Sequence, residues 1–186
     1  MNGEGIGFGK AILFNEHFVV YGVPAIVSAI GKYTVAKAHP FEEPRLKLID
    51  NRNATPGYKE NKKDQQNDSV DRIIKEMGLD FSNNGGVEVE LAGTLYAASG
   101  IGASAASCVA LARALSEFYQ LDLTDERINE IAYEGEKGYH GTPSGIDNTA
   151  STFGGLIWFE KKQPQVMERI ELHNPVEIVM GKTGKV

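Results

Sequence analysis

The sequence has a single cysteine, Cys108, in 186 residues. A lone cysteine excludes an intrachain disulfide and a cysteine-based metal cluster. The sequence also lacks any apolar run close to the roughly 18 residues that a membrane span requires. Its first residues lack the basic segment and the apolar core of a secretory signal. We therefore expect a cytoplasmic protein without a membrane partner.

Basic charge is also scarce. The chain has 25 acidic and 19 basic side chains, which gives a formal net charge of -6. An acidic chain without a basic stripe argues against nucleic acid as a partner. It does not exclude a phosphorylated ligand, because a phosphate site needs backbone amides and only a few cations. Hydrophobic residues make up 41% of the chain, which is enough for one domain with a sizeable core.

Apolar periodicity predicts strands and helices in irregular alternation. Runs of β-branched and aromatic residues predict strands at 11–14, 18–21, 25–30, 33–36, 45–49, 87–91, 155–159 and 176–180. Helical spacing predicts helices at 69–77, 104–120 and 124–137, the last with Thr124 as its N-cap. The polar segment 50–68 is predicted to be a long exposed loop. This order favours an α+β fold, with a mixed β-sheet packed with helices, over a doubly wound parallel sheet.

A segment of small residues lies between a predicted strand and the helix at 104–120. It consists of Ser99, Gly100, Ile101, Gly102, Ala103, Ser104 and Ala105. Glycines allow positive φ and a close approach of the backbone to a ligand. The unpaired amides and the dipole at the start of a helix favour an anion such as phosphate. Ser104 can cap this helix, ligate magnesium, or do both. A tight turn with packing glycines is the alternative.

Two carboxylates flank the glycine-rich segment that follows the helix at 124–137. Glu136 lies at the end of that helix and is a candidate ligand for magnesium, which binds nucleotides through one or two protein carboxylates. Asp147 follows in a predicted loop, where its carboxylate can act as a base toward a hydroxyl. Solvated helix charges and a turn aspartate are the alternatives for these residues taken singly.

Polar residues also occur within the first apolar stretch of the chain. Lys10 precedes a predicted strand, and its ammonium can hold a phosphate or lower the pKa of a hydroxyl. Glu16 and His17 are polar residues within an otherwise apolar stretch, which makes them candidates for a functional role. The alternatives are a solvated strand end and a hydrogen-bonded histidine.

Taken in chain order, at 10–22, 100–106 and 140–148, these three segments resemble the GHMP kinases, which phosphorylate small alcohols such as galactose, homoserine, mevalonate and phosphomevalonate. The match is most specific to the mevalonate kinases at Pro-Ser-Gly-Ile-Asp-Asn (143–148) and at Glu-His-Phe-Val-Val-Tyr-Gly (16–22). The resemblance extends over nearly the whole chain apart from 50–68. It implies the fold of the GHMP-kinase amino-terminal domain, which is like domain 2 of ribosomal protein S5.

The resemblance implies a reaction. ATP and mevalonate would be the partners, Mg²⁺ the cofactor, and 5-phosphomevalonate the product of the first kinase step toward isoprenoids. It implies that Asp147 is the catalytic base toward the primary hydroxyl of mevalonate. It also implies that Lys10 lies near that hydroxyl and the transferred phosphoryl group.

The resemblance also implies binding roles. Ser104 and Glu136 would hold Mg²⁺, and residues 99–105 would wrap the nucleotide phosphates. Glu16 and His17 would line the mevalonate pocket. The sequence departs from the usual pattern at several places, for example at Ala103, where the family's first serine of the loop is lost. None of these departures removes a group that has an implied catalytic role.

Residues 1–186 are expected to be one GHMP kinase amino-terminal ATP-binding domain. The resemblance implies a carboxy-terminal GHMP domain that is absent from this chain and helps to close the active-site cleft. We therefore expect the chain alone to be an incomplete enzyme, with apolar surface covered by a carboxy-terminal half chain or by self-association. The alternative functions are another GHMP kinase, of the phosphomevalonate, homoserine or galactose type, or a nucleotide-binding fragment without turnover.

Overall fold

The structure is a computed structural model that describes residues 2–162, 166–174, 177 and 179–181. The strands are β1 (Gly3–Phe14), β2 (Ala25–Phe41), β3 (Leu46–Asp50), β4 (Gly86–Gly93), β5 (Leu156–Glu160) and β6 (Val166–Arg169). The helices are α1 (Tyr58–Asn61), α2 (Lys63–Met77), α3 (Phe81–Asn84), α4 (Ala103–Phe118), α5 (Asp125–His140) and α6 (Ile146–Phe153), and a 3₁₀ helix spans Phe18–Tyr21. Within the described ranges, no helix combines the length and the apolar character that crossing a bilayer would require.

The long strand β2 organises a mixed sheet of six strands. β1 pairs antiparallel with one edge of β2, with Gly3 opposite Ala38. The other edge is shared, because β4 pairs with residues 34–41 and β5 pairs with residues 25–28. β3 extends the sheet in parallel beside β4, and β6 extends it antiparallel beside β5. The prediction of an α+β fold with a mixed β-sheet packed with helices is confirmed.

Glycine at every second position from 3 to 9 of β1 lets helix α4 lie directly on the strand. A Cβ atom added to Gly5 or Gly7 would lie 2.2 Å from the carbonyl oxygen of Ala110 or Ala106, respectively. Two strand residues advance about 6.7 Å, and four helix residues advance about 6 Å, so the two spacings nearly match. This contact brings the first turn of α4 beside Lys10 in β1.

The main core lies between the sheet and helices α4, α5 and α2. The alternate residues Val87, Val89 and Leu91 of β4 are buried there, which confirms the alternation predicted for this strand. The helices predicted at 104–120 and 124–137 are confirmed as α4 and α5 with shifted ends. The Thr124 hydroxyl oxygen accepts a hydrogen bond from the amide of Arg127 at 3.3 Å, so Thr124 caps α5 as predicted.

Two strand predictions near the amino terminus were wrong in detail. Residues 18–21 form the 3₁₀ helix instead of a strand, because Asn15 takes a left-handed φ of 63° and turns the chain after β1. Only Val19 of this helix is buried. The predicted separation of the strands at 25–30 and 33–36 is also wrong, since β2 runs through both and the irregularity is a register shift opposite Phe8 and Gly9 of β1.

The largest difference concerns the segment 50–68, which was predicted to be an exposed loop. It contains α1 and the first turns of α2, so the helix predicted at 69–77 begins earlier, at Lys63. Polar contacts around the carboxylate of Asp50 hold this segment, and such contacts leave no apolar pattern in the sequence. The strand predicted at 176–180 includes residues 176 and 178, which lie outside the described residues, so it stays a prediction.

Candidate active site

An ion pair joins the first strand to the short helix α6. The Lys10 Nζ atom lies 3.2 Å from Oδ1 of Asp147, and Lys10 is only 6% exposed. The solvated strand end that was the alternative for Lys10 is therefore wrong. Asp147 was predicted to lie in a loop, but it lies in the first turn of α6, whose N-cap is Gly145 with a φ of 90°. The helix dipole favours a carboxylate at this end of a helix.

The small-residue segment packs directly on Lys10. The Lys10 amide donates to the carbonyl oxygen of Ile101 at 2.9 Å. A Cβ atom on Gly102 would lie 2.8 Å from Cγ of Lys10, so only glycine fits there. Gly100 and Gly102 have φ values of 74° and 79°, in the left-handed region that the sequence analysis expected of them. Residues 101 and 102 of the loop therefore contact Lys10, one member of the ion pair.

Gly102, and not Ser104, is the N-cap of α4. Of the two roles considered for Ser104, capping of the helix is therefore excluded, because the left-handed Gly102 ends the loop one residue before Ala103. The amide of Ala106 donates to the carbonyl oxygen of Gly102, which leaves the amides of the first turn without helical partners. Ser104 stands in that first turn and remains available as a ligand.

Glu136 is a buried carboxylate beside this helix start. It is 1% exposed, and its Oε1 atom has no hydrogen-bond partner among the described residues. Burial raises the pKa of Glu136 to about 7, and the negative charge of Asp147 adds to this effect, whereas the Ser104 hydroxyl and Lys10 oppose it. The interpretation of Glu136 as a solvated surface charge is therefore wrong.

The sequence analysis assigned no role to His140, which belongs to the same group. Its Nε2 atom lies 3.2 Å from Oγ of Ser104 and 4.0 Å from Oε2 of Glu136. Burial lowers the pKa of His140, which favours the neutral imidazole. The spacing of four residues between Glu136 and His140 on α5 was the available signal, since such residues share one helix face.

Glu136 and Ser104 offer oxygen atoms of the kind that magnesium prefers. The unpartnered Oε1 of Glu136 and the Ser104 hydroxyl are hard donors on two facing helices. Across the part of the chain that the structure describes, no group of three or more His, Cys, Asp or Glu side chains could hold a metal ion. A site with one carboxylate and one hydroxyl fits magnesium bound to nucleotide phosphates, which supply further oxygen ligands together with water.

Glu16 and His17 are not brought into contact with the ion pair by any described interaction. Both side chains are exposed in the segment between β1 and the 3₁₀ helix. The His17 ring packs edge-on against Phe18, with 5.7 Å between ring centroids. Their predicted role in lining a substrate pocket therefore stays a prediction.

The segment 50–68, which was predicted to be a loop, lines one side of the candidate site. An open pocket beside the start of α4 is lined by Arg52, Tyr58, Lys62, Ser104 and Tyr139, among others. Burial acts to raise the pKa of Asp50, but the hydrogen bonds and the charge of Arg52 outweigh it, so the pKa of Asp50 is lowered. The sequence analysis did not identify the lining residues from 50–68, because that polar segment has no apolar period and was predicted to be an exposed loop.

Comparison with known proteins gives the same family. The family of GHMP kinase N-terminal domains matches residues 68–155. A mevalonate kinase of Thermococcus sibiricus is 32% identical over 188 aligned residues, which cover 94% of this chain and 55% of that relative. The chain therefore spans about half the length of the curated relatives that it matches.

Solved structures agree with the sequence comparison. The L. major mevalonate kinase in complex with R-mevalonate has a TM-score of 0.83 at 46% identity, and the match covers 92% of this chain and 53% of that chain. The mevalonate kinase of methicillin-resistant Staphylococcus aureus has a TM-score of 0.65 at 29% identity, covering 84% of this chain and 52% of that chain. The resemblance to mevalonate kinases is confirmed, and the chain has the fold of the GHMP kinase amino-terminal domain.

Proposed function

We propose that this chain is the amino-terminal half of an ATP- and magnesium-dependent mevalonate kinase, which transfers the γ-phosphoryl group of ATP to the primary hydroxyl of mevalonate. The observation that carries the proposal is the ion pair of Lys10 and Asp147, at 3.2 Å, against the start of α4. It combines a proton acceptor and a cation with a helix start suited to phosphate. Phosphoryl transfer requires mainly positioning and charge stabilisation from such parts.

Asp147 accepts the proton of the attacking hydroxyl in the proposed reaction. The hydroxyl oxygen forms a bond to the γ-phosphorus, while the bond from that phosphorus to the bridging oxygen of ADP breaks. Lys10 lies against Asp147 and supplies positive charge beside the transferred group. The amides of the first turn of α4, which have no helical partners, hold the phosphates that remain on the nucleotide.

Glu136 and Ser104 would hold the magnesium ion. When bound, the ion would offset negative charge on the phosphate oxygens. The buried Glu136 carboxylate supports this role, because a buried carboxylate atom without a partner is costly unless it binds something.

The choice of mevalonate as the substrate rests on similarity. The L. major enzyme that was crystallised with R-mevalonate is 46% identical to this chain. The segments 16–22 and 143–148, which carry the resemblance to mevalonate kinases, support the same substrate. We infer that Glu16 and His17 contact mevalonate when the site is complete.

The test is an assay of ADP release with the purified chain, ATP, magnesium and mevalonate, run beside galactose, homoserine and phosphomevalonate. Turnover with mevalonate alone is the expected result if this half suffices or associates with itself. Faster turnover with another of these alcohols would contradict the assignment of the substrate. The affinity for magnesium-ATP is measured in the same samples by calorimetry.

Two substitutions separate the proposed roles. Asp147→Asn is expected to lower turnover by about 10²–10⁴-fold, the usual contribution of a general base, while leaving the Kd for magnesium-ATP within about twofold. Glu136→Gln is expected to raise that Kd by about tenfold, equivalent to ~1.4 kcal/mol, because it removes a charged ligand. Equal losses of nucleotide affinity in the two variants would contradict this division of roles.

A nucleotide-binding fragment without turnover is the second candidate. It is favoured by the exposure of Glu16 and His17, which no described interaction brings to the ion pair. Binding of magnesium-ATP without ADP release from any of the four alcohols would support this candidate.

A further inference from the structure

The carboxylate of Asp50 gathers several donors at the end of β3. Arg52 donates to it from Nε at 2.9 Å and from Nη2 at 2.7 Å. Gln66 of α2 donates from Nε2 at 2.9 Å. Lys59 of α1 donates to the backbone carbonyl oxygen of Asp50 at 2.7 Å. We call Asp50, Arg52, Lys59 and Gln66 the Asp50 hub.

The hub is tied to the start of α4 through one guanidinium nitrogen. Nη1 of Arg52 donates to the carbonyl oxygen of Ala103 at 3.0 Å, and Arg52 is only 5% exposed. A backbone hydrogen bond joins the same two segments, because the amide of Ala97 donates to the carbonyl oxygen of Asn53 at 2.8 Å. Both contacts hold the chain immediately before and within residues 99–105, the proposed phosphate loop.

The position of this cation is unusual for a helix start. The dipole disfavours positive charge at the amino-terminal end of a helix, and burial disfavours it again unless a partner compensates. Asp50 provides the partner, and its bidentate contact leaves Nη1 of Arg52 free to bind Ala103. A lysine could not make both contacts, because it has no planar fork of donors.

We propose that Arg52, oriented by Asp50, is a positioning residue that fixes the carbonyl of Ala103 and thereby presents the amides of residues 99–105 to the nucleotide phosphates. This inference rests on the proposed function, because it takes the loop to be the phosphate site. It assigns the segment 50–66 a part in nucleotide binding through structure behind the loop. The alternative is that the Asp50 hub only anchors α1 and α2 to the sheet.

The test substitution is Arg52→Lys, which keeps the positive charge beside Asp50 and loses the second contact. Two quantities are measured: the Kd for magnesium-ATP and the hydrogen-exchange rates of the amides of residues 99–105 without nucleotide. We expect the Kd to rise at least about fivefold and exchange in the loop to accelerate at least about tenfold, since local opening sets exchange rates. Unchanged values of both quantities would overturn the proposal.

Arg127→Lys is the matched control. Arg127 also donates to a backbone carbonyl, that of Glu76 at 2.9 Å, and to carboxylates, but it joins α2 to α5 away from the loop. It is expected to lower the melting temperature while leaving the Kd and the exchange of the loop as in the wild type. If both variants weaken ATP binding in proportion to their loss of stability, the role of Arg52 is structural only and the proposal fails.

The role of Arg52 can be tested even if the proposed function fails or if Arg52→Lys does not fold. If the wild-type chain binds no magnesium-ATP, the proposed function fails, and the exchange measurement alone decides whether Arg52 orders the loop. If Arg52→Lys does not fold, Gln66→Leu replaces it, because this change removes a single donor from Asp50 and keeps the ion pair. We then expect faster exchange in the loop, and wild-type exchange rates in that variant would overturn the proposal.

Discussion

Glu136 shows how one buried carboxylate links stability to function. Its side chain lies on α5 against the start of α4, and one oxygen atom has no partner among the described residues. Such an environment disfavours the charged carboxylate, so the pKa is raised to about 7 from an ordinary value of 4.5. The proposed magnesium ligand therefore costs stability whenever it is ionised without metal.

The stability of the metal-free chain is expected to fall between pH 4.5 and pH 7 because of this residue. A raised folded-state pKa gives stability that is fully present below the unfolded pKa and is lost as the pH rises through the folded pKa. The loss amounts to about 3 kcal/mol, from ~1.4 kcal/mol for each pKa unit. Denaturant unfolding of the wild type and of Glu136→Gln at several pH values measures it.

The substitution Glu136→Gln is expected to flatten this dependence and to make the chain more stable than the wild type above about pH 7, because the amide does not ionise. Glu126→Gln is the control, because Glu126 is an exposed residue in the first turn of the same helix. Parallel pH profiles for the wild type and Glu136→Gln would contradict the buried ionisation.

Cys108 is a core residue. It is buried in α4 with its sulfur 3.3 Å from the hydroxyl of Ser69, and burial raises the pKa of its thiol. We expect a thiol reagent such as dithionitrobenzoate to label the native chain at least about 100-fold more slowly than the unfolded chain, because both access and thiolate are limiting. Rapid labelling of native protein, followed by absorbance, would contradict this packing.

At the scale of elements, the contact of β1 with α4 sets the geometry of the site. The strand carries Lys10 and the helix begins with the proposed phosphate loop, so their separation fixes the distance between cation and loop. Glycine in the strand and alanine in the helix make that separation short. Glycine within a strand often marks such a site, where another backbone approaches closely.

Gly5→Ala is expected to destabilise the chain by about 2–3 kcal/mol, the upper part of the range for overpacking, because its new methyl group would meet backbone atoms of α4. Thermal or denaturant unfolding measures the change. Gly31→Ala is the control in the neighbouring strand, because a Cβ atom there has no atom within 4 Å. Equal stability of the two variants would show that α4 does not lie on β1 at this distance.

At the scale of the whole molecule, one exposed apolar group stands out between β1 and β2. It comprises Phe14, Phe18, Val20, Tyr21 and Val23, of which Tyr21 is 75% exposed. These residues are close together in the sequence, and exposed apolar patches usually mark interaction sites. The apolar surface that the sequence analysis expected to be exposed is therefore found between residues 14 and 23. That a carboxy-terminal half chain or a second copy covers it stays a prediction.

We expect the purified chain to associate with itself through this group in a concentration-dependent manner. The double variant Phe18→Ser/Tyr21→Ser is expected to sediment as a monomer at concentrations where the wild type does not, because it removes apolar surface that water disfavours. Leu121→Ser changes an exposed apolar residue outside this group and serves as the control. Identical sedimentation of the wild type and the double variant would contradict the prediction.

The parts of the fold that were predictable from sequence are those with a regular apolar period. The alternation in β4 and the helical spacing in α5 each depend on one buried face, which the order of residues displays directly. The segment 50–68 and the short helix α6 were missed for the opposite reason. Their conformations depend on the ion pair of Asp50 and Arg52 and on packing against distant strands, which leave no local period.

By itself, the sequence determined the α+β class, the resemblance to GHMP kinases and the residues proposed for the chemistry, because residue types and their order carry that information. Only the tertiary structure decided that Lys10 meets Asp147, that Glu136 is buried beside Ser104, and that a polar segment supports the loop. The physical reason is that distance, burial and pKa depend on groups from separate parts of the chain. Those groups meet only when α4 packs on β1.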